Sequence, residues 1–247
     1  MKRKINFLKM KIRQFLQKKI IRLLNSKKIL KLFFYYHKIF NDKGFKDLGF
    51  DFSKKKNRLQ IVNDLISKKY FKSYLEIGCF DNELFNNVNC FQKVGVDPVS
   101  GGTVRKTSDQ FFSENKDFFD CIFIDGLHTY AQVKKDINNS LKFLNKNGII
   151  LLHDCLPNNF YAQATPRCQW TWNGDVWKAI IECRTNDELD VYTCYADFGI
   201  GVILNRSNQN LLEYPKQDYS KLKFEEYHRD PYKMMNIIEY EELLKII

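Results

Sequence analysis

The chain has 247 residues, of which 44% are apolar and 15% aromatic. This composition excludes a wholly disordered polypeptide, and the length suits one substantial core with a helical appendage. Residues 1–40 contain thirteen Lys and Arg and no Asp or Glu, which leaves 27 basic and 29 acidic residues in the rest. The formal charge of +11 therefore belongs to the N-terminal arm, because the remainder has a net charge of about −2.

Cysteine usage and hydropathy favour a cytoplasmic protein. The seven cysteines are an odd number without a Cys-x-x-Cys pair, and several lie in apolar runs, which is typical of a reducing compartment. No apolar run approaches the ~20 residues that a membrane span needs. Lys and Arg also interrupt the apolar residues near the N-terminus, so we expect no signal peptide.

The N-terminal arm has the pattern of an amphipathic helix. Between residues 5 and 24, apolar side chains recur at three- and four-residue steps opposite a lysine-rich face: Ile5, Leu8, Ile12, Phe15, Leu16, Ile20, Leu23 and Leu24. A second helical stretch around residues 29–36 and a linker over about 41–53 complete a predicted extension, 1–53. Its apolar stripe could pack on the domain, pair with a second copy in a homo-oligomer, or dock on the inner face of an anionic membrane.

Beyond this extension the pattern alternates between strands and helices. A helix is expected over 57–69, and strands near 73–77, 92–97, 103–107, 119–125 and 149–154. Two further strands, 190–195 and 199–204, are close enough to pair as an antiparallel hairpin. We predict an α/β fold, a doubly wound, mostly parallel seven-stranded sheet, over residues 54–205, with a mostly helical segment 206–247 packed on it.

Two later helices frame a long loop. Apolar residues from Tyr130 to Leu144 step by three and four, and Asn147-Gly148 would supply a left-handed stop. Residues 156–174 have two prolines and no clear period, which suggests a loop that covers the substrate. Asp175 could cap the next helix, around 176–183.

Acidic and imidazole side chains follow two neighbouring apolar strands. Asp125 and His128 come after the fourth strand, and His153 and Asp154 come at the end of the fifth. Because the carboxyl ends of parallel strands meet at one edge of a sheet, these four side chains should surround one crevice. The sequence thus predicts a catalytic site at this edge.

The first two strands carry the pattern of a nucleoside site. A turn at Gly78 follows the first strand, and Asp97 ends the second strand nineteen residues later, where it could accept hydrogen bonds from ribose hydroxyls. Phe80 stands where a dinucleotide site needs its second glycine, which argues against NAD or FAD. S-adenosylmethionine (SAM) has no phosphate, and its positive charges suit a site lined by Glu76, Asp97 and Asp125.

These motifs together resemble the class I SAM-dependent methyltransferases over about residues 57–204. The nearest branch contains sugar and surface-polysaccharide O-methyltransferases, related to those of macrolide sugars and catechols. The resemblance rests on Glu76-x-Gly78, Asp97, Thr107-Ser108-Asp109-Gln110-Phe111-Phe112, Phe123-Ile124-Asp125-Gly126-Leu127-His128-Thr129-Tyr130 and Leu152-His153-Asp154-Cys155. One departure is Asn82, where the branch usually has a second glycine; Asn tolerates unusual backbone angles better than most residues.

The resemblance implies roles for the residues of the crevice. His128 would be the general base, with Asp125 and Asp154 beside it, although it could instead cap the following helix or bond the loop. Asp125, His153 and Asp154 would bind a divalent cation, Mg²⁺ or a transition metal, although His153 could equally be a buried structural imidazole.

The remaining site predictions concern adenine and the acceptor. Ser108 and Asp109 would meet the adenine by family analogy, although Asp109 could merely cap its helix. Trp170 and Trp172 could stack on a sugar, and Arg167 could pair with the phosphate of an activated or lipid-linked sugar. Trp177 lies on a predicted helix and is expected in the core.

The predicted function is therefore SAM-dependent methylation of a sugar hydroxyl, on a nucleotide-sugar or a surface glycan. A nucleic-acid methyltransferase is disfavoured, because no Asn-Pro-Pro-Tyr or Asp-Pro-Pro-Tyr cluster follows the fourth strand. The alternative from another class is a catalytically silent protein that binds a membrane or a partner through residues 1–40.

Overall fold

The structure is a computed structural model that describes residues 26–215 and 218–247. The amphipathic stretch predicted over residues 5–24 lies outside the described residues. Ten α-helices are present in the described part of the chain: α1 Lys27–Phe40, α2 Arg58–Lys69, α3 Glu83–Asn87, α4 Ser108–Glu114, α5 Tyr130–Lys142, α6 Phe160–Gln163, α7 Trp177–Arg184, α8 Phe224–Arg229, α9 Pro231–Met235 and α10 Tyr240–Ile246. A 3-10 turn covers Tyr219–Lys221.

Seven strands form one sheet: β1 Ser73–Ile77, β2 Gln92–Val96, β3 Phe119–Ile124, β4 Leu144–Leu152, β5 Leu189–Cys194, β6 Ile200–Asn205 and β7 Ile237–Ile238. Their spatial order is β2-β1-β3-β4-β6-β5-β7. Strands β1 to β4 pair in parallel, β6 runs antiparallel to both β4 and β5, and β7 is parallel to β5. The predicted doubly wound, mostly parallel seven-stranded sheet and its antiparallel hairpin are confirmed.

The strand predicted over 103–107 is wrong in its extent. Only Val104 pairs with the sheet, by a single bridge to Val96. The chain cannot continue as a strand because Thr107 begins α4: its hydroxyl accepts the amide of Gln110, whose side chain returns to the Thr107 amide. The seventh strand of the sheet is instead β7, near the C-terminus.

Two helix-end predictions are also corrected. Helix α5 ends at Lys142, and the left-handed Asn147 (φ 63°) lies within β4, where the register with β3 shifts, rather than at the helix terminus. Asp175 does not cap α7; its Oδ1 accepts the amide of Tyr130 at 2.6 Å and so caps α5. The loop before α7 is thereby fastened to the helix that follows β3.

The sheet separates two apolar layers because successive strand residues point to opposite faces. On β3, Ile122 and Ile124 belong to the cluster that contains Trp177 and residues of α5 and α7. Phe123 belongs to the opposite cluster, which includes residues of α2 and α10. Trp177 is fully buried, as expected. No helix among the described residues is long and apolar enough to cross a membrane.

Candidate active site

The predicted crevice forms at the carboxyl ends of β3 and β4, with His128 at its centre. The Nε2 atom of His128 lies 3.1 Å from Oδ1 of Asp125, and its Nδ1 lies 3.2 Å from Oδ2 of Asp154. Nδ1 is also 3.1 Å from the carbonyl oxygen of Trp172. The imidazole therefore lies between two carboxylates from neighbouring strand ends, and it does not cap α5, because that place belongs to Asp175.

Backbone geometry after β4 turns the carboxylate of Asp154 into the crevice. Asp154 is left-handed (φ 61°), a conformation that costs free energy for a residue other than glycine. Immediately afterwards, the Cys155 amide donates to the carbonyl of Gly199. Asn173 Nδ2 also donates to Asp154 Oδ1 at 2.9 Å, so the loop fixes the second carboxylate oxygen.

His153 lies beneath the crevice and is almost fully buried. Its Nδ1 is 3.5 Å from Asp125 Oδ1 and 3.4 Å from Asp154 Oδ2, while its Nε2 is 3.3 Å from Asp197 Oδ1. Nη1 of Arg58 lies 3.3 Å and 3.1 Å from the two ring nitrogens, which places the guanidinium over the face of the imidazole. Arg58 also reaches Asp125, with Nη1 3.7 Å from Oδ2.

Sequence reasoning missed Arg58 and Asp197. Arg58 is the first residue of α2, and Asp197 lies in the turn between β5 and β6. They are tied together, because the Arg58 amide donates to Asp197 Oδ2 at 2.6 Å. The only local signal was an acid in the three-residue turn of the predicted hairpin; nothing in the spacing places that turn beside His153.

The charges of the crevice shift its pKa values in opposite directions. Burial alone would raise the pKa of Asp125, but the neighbouring His153 and His128 lower it well below its usual range. Burial alone would lower the pKa of His128, but the hydrogen bond to Asp125 and the charge of Asp154 raise it. The site thus stabilises an imidazolium between carboxylates.

The glycine turn after β1 packs directly on the end of β3. Gly78 is left-handed (φ +91°), and a Cβ there would overlap the carbonyl of Asp125 and lie 2.7 Å from Cα of Gly126. Asn82 is also left-handed (φ 68°), and its Oδ1 accepts the Gly102 amide at 2.6 Å. Asn82 therefore takes the backbone conformation that a glycine would take, and the turn is intact.

Asp97 organises this turn from the end of β2. Its Oδ2 accepts the Phe80 amide at 3.1 Å, and its Oδ1 accepts the amides of Val99 and Ser100, each at 2.7 Å. Arg105 donates to the Asp97 carbonyl at 2.8 Å. Each carboxylate oxygen can accept more than one hydrogen bond, so the predicted ribose contact is compatible with these bonds and stays a prediction.

Glu76 is buried on β1 and accepts a hydrogen bond from the Tyr74 hydroxyl at 2.7 Å. Burial raises its pKa to about 7. Three acids, Glu76 on β1, Asp97 after β2 and Asp125 after β3, thus lie at one edge of the sheet, where their negative charge would suit the cationic SAM.

Ser108 and Asp109 begin α4, but Asp109 does not cap it, since Thr107 does. Gln132 of α5 donates to Ser108 Oγ at 3.1 Å and to Asp109 Oδ1 at 3.0 Å. These bonds join the starts of the two helices. A contact of Ser108 or Asp109 with adenine stays a prediction.

The loop 156–174 places an indole against the imidazole. Trp172 stacks on His128, with ring centroids 5.5 Å apart and an interplanar angle of 20°. The Arg167 guanidinium lies 5.4 Å from the ring centroid of Trp170 and 5.7 Å from that of Trp172. All three predicted acceptor residues therefore lie together on the loop that borders the crevice.

The geometry of the crevice also fits a divalent cation. Ligand atoms of Asp125, His128 and Asp154 all lie within 4.8 Å of one another. The separations of 3.1 Å to Asp125 and 3.2 Å to Asp154 belong to different ring nitrogens of His128, and only one of these nitrogens could bind an ion. His153, the predicted third ligand, is nearly as close to both carboxylates but bears Arg58 on its ring.

Comparison with known families agrees with this fold. Residues 67–155 match the family model described as a methyltransferase domain, a little over a third of the chain. The matched range includes the glycine turn and all four predicted crevice residues, Asp125, His128, His153 and Asp154. The matched range and the sheet order agree with a methyltransferase domain of the Rossmann-like fold. No match was found among curated proteins.

Solved structures with a similar fold include one from Staphylococcus aureus assigned as a caffeoyl-CoA O-methyltransferase, with a TM-score of 0.50, 14% identity, and coverage of 78% of this chain and 99% of that chain. An O-methyltransferase from Bacillus cereus in complex with SAH has a TM-score of 0.47 and 13% identity, and the match covers 64% of this chain and 84% of that chain. An SAH-bound methyltransferase from Podospora anserina has a TM-score of 0.46 and 17% identity, and the match covers 62% of this chain and 80% of that chain. At 14% identity, the similarity to the S. aureus protein shows that the two proteins share a fold, and it shows nothing about their substrates.

Proposed function

We propose that this protein is an O-methyltransferase that methylates a sugar hydroxyl, on a nucleotide-sugar or a surface glycan. The observation that carries the proposal is the His128 imidazole between the carboxylates of Asp125 and Asp154, 3.1 and 3.2 Å away. This arrangement lies at the same edge of the sheet as the Gly78 turn, so a proton acceptor and a cofactor-binding turn adjoin one crevice.

The chemistry divides between cofactor and protein. SAM, when bound, supplies a methyl group on a positively charged sulfur; the new O–C bond forms as the S–C bond breaks. The Gly78 turn and the acids Glu76 and Asp97 would bind and orient it. The protein must also accept the proton of the attacking hydroxyl, and positioning together with proton removal accounts for most of the rate enhancement.

His128 is suited to accept that proton at Nε2. In the tautomer whose Nδ1–H donates to the Trp172 carbonyl, the lone pair is on Nε2, the nitrogen 3.1 Å from Oδ1 of Asp125. Once protonated, Nε2–H donates to Asp125, and Asp154 adds a second negative charge. The raised pKa of His128 reflects this stabilisation of the imidazolium.

A divalent cation would be held by Asp125 and Asp154 with His153, or with His128, as the third ligand. Bound there, it would lower the pKa of the acceptor hydroxyl. An imidazole in the ligand set favours a transition metal over Mg²⁺. If His128 is the ligand, it is not the base, so metal dependence and base catalysis by His128 must be tested together.

The loop supports a sugar acceptor. Indole faces stack on sugar rings, and a guanidinium pairs with phosphate. Trp172 lies against His128, and Arg167 lies near both indoles. A sugar stacked on the exposed Trp170, with its phosphate toward Arg167, would lie on the loop that borders the crevice.

Ligand binding and methyl transfer test the proposal separately. SAM and S-adenosylhomocysteine should raise the melting temperature while NAD should not, because a ligand that binds only the native state stabilises it. Labelled SAM is then offered with a panel of nucleotide-sugars and with catechol. Methylation of a nucleotide-sugar supports the proposal. Methylation of catechol alone refutes the sugar acceptor, and no thermal shift at millimolar SAM refutes the cofactor.

A further inference from the structure

Helix α1 has a buried face and, opposite it, an exposed apolar face. Leu30 and His37 are buried against the rest of the protein. A second stripe points outward, with 47–71% of each side chain exposed, and we call it the outer stripe: Leu32, Tyr35, Tyr36, Ile39 and Phe40. Its spacing of three and four residues runs along one side of the helix for two turns. A contiguous exposed apolar patch of this kind marks an interaction surface rather than scattered surface residues.

The inner face of α1 fixes the orientation of the outer stripe. His37 Nε2 lies 2.8 Å from the carbonyl oxygen of Pro166, and Asn41 Nδ2 lies 3.1 Å from His37 Nδ1. Phe34 stacks on Tyr161, with ring centroids 4.6 Å apart. Because α1 is held on the loop 156–174, the outer stripe cannot turn inward without breaking these contacts.

Charge decides which partner the outer stripe suits. Lys27, Lys28, Lys31 and Lys38 are all exposed on α1, and residues 1–40 contain no acidic side chain. Two copies related by a two-fold axis would bring these like charges together, which disfavours self-association. An anionic surface would instead attract them, by about 1 kcal/mol for each Lys or Arg near it.

We propose that the outer stripe docks on an anionic lipid surface, with α1 lying in the plane of the interface. The aliphatic side chains and Phe40 enter the boundary between headgroups and acyl chains, and Tyr35 and Tyr36 lie at headgroup depth, where amphipathic rings are favoured. The lysines contact the headgroups. Docking does not depend on the proposed activity, and it brings the outside of the loop 156–174 to the bilayer.

Vesicle flotation of the full chain tests this docking. The probes are vesicles of phosphatidylglycerol mixed with phosphatidylcholine, and vesicles of phosphatidylcholine alone. The wild type should float with the anionic vesicles only, and less so at high salt. The double variant Ile39→Glu/Phe40→Glu should lose about tenfold or more of this binding, since it removes two large apolar anchors and adds like-charge repulsion.

A matched control places the same charges elsewhere. Phe91 and Tyr70 are 87% and 81% exposed, and Phe91 precedes β2 at the opposite edge of the sheet from the crevice. Tyr70→Glu/Phe91→Glu should bind vesicles like the wild type. Equal melting temperatures of the two double variants exclude misfolding as the cause.

Three results would overturn the proposal. The first is absence of wild-type binding to anionic vesicles at low salt. The second is unchanged binding of Ile39→Glu/Phe40→Glu, which would assign any lipid binding to residues 1–25. The third is a wild-type dimer in sedimentation that the same variant converts to monomer without an effect on lipid binding, which would make the outer stripe a subunit interface.

Discussion

Gly78 and Asp125 meet backbone to backbone across β1 and β3. The Asp125 amide donates to the carbonyl of Ile77 at 2.8 Å, and the next residue, Gly78, leaves no room for a Cβ beneath the Asp125 carbonyl. The turn that would bind the cofactor and the strand end that carries the candidate catalytic acid are therefore one packed unit. A shift of either backbone moves the other.

Gly78→Ala should destabilise the protein by roughly 3 kcal/mol or more, because it combines a left-handed backbone with a clash against backbone atoms. Chemical denaturation measures the loss. Gly126→Ala is the control, since a Cβ there would meet Ile77 Cγ2 at 3.5 Å and the Ile77 carbonyl oxygen at 3.8 Å, which are ordinary contacts. Equal stability of the two variants would contradict the packing described for this turn.

His128→Asn should lower kcat by about 10²–10⁴-fold with little change in SAH binding, because the variant lacks the proton acceptor but keeps the glycine turn. The control is His228→Asn on α8, where the imidazole lies 2.8 Å from the backbone carbonyl of Lys46. Steady-state kinetics and calorimetry of SAH binding give the two readouts. A His128→Asn enzyme with wild-type kcat would remove His128 from the proton transfer.

Removal of divalent cations should abolish turnover if the carboxylates of Asp125 and Asp154 hold an ion. Binding has a readout independent of activity, because Trp172 stacks on His128 and a transition metal bound beside it would quench the indole fluorescence. Quenching should disappear in Asp154→Asn, and its amplitude should fall in Trp172→Phe, which controls for other tryptophans. Full activity in EDTA would show that the carboxylates act without an ion.

Asp136 should make stability fall as pH rises. Burial raises its pKa from 3.8 to about 6. Between these two pKa values, Asp136 keeps its proton in the folded state but has lost it in the unfolded state. The free energy of unfolding therefore decreases as pH rises across this window, by roughly 3 kcal/mol in total. In Asp136→Asn this contribution should vanish from the pH profile of the unfolding free energy.

Asp120 provides a control of opposite sign. Although burial opposes it, hydrogen bonds from Lys72, Asn145 and Ser73 lower the pKa of Asp120. Its stabilisation is present above the unfolded-state pKa and is lost as pH falls through the folded-state value. Asp120→Asn should therefore cost stability at neutral pH and little in acid. If Asp136→Asn gave the same profile as Asp120→Asn, the assigned burial effect at Asp136 would be wrong.

The sequence was sufficient to predict that the side chains of the crevice converge at one edge of the sheet. Asp125 and Asp154 follow adjacent parallel strands, and the common direction of such strands brings their carboxyl ends to one edge whatever the loops do. Local patterns also predicted β1, β2 and β3 closely, because each is a short apolar run with turn residues after it. The third predicted strand failed because the capping box at Thr107 competes for the same residues.

Arg58 and Asp197 escaped prediction for a physical reason. Both lie outside the strand ends, and their positions beside His153 depend on how α2 and the β5–β6 turn pack over the sheet. Periodicity determines which face of a helix is buried but not which loop its first residue meets. A charged residue at a helix start is ordinary in sequence, and only tertiary contact makes Arg58 part of the site.

Trp170→Ala should separate substrate binding from chemistry. Trp170 is 75% exposed and lies against Arg167, so its removal costs little folding free energy. If it stacks on the acceptor, KM for the sugar should rise about tenfold, in keeping with 1–3 kcal/mol for one aromatic stack, while kcat stays within a few-fold. Phe91→Ala changes a residue that is even more exposed but lies at the opposite edge of the sheet, and it should leave both constants unchanged. A fall in kcat at constant KM would instead mean that Trp170 orients the loop over His128 and does not contact the sugar.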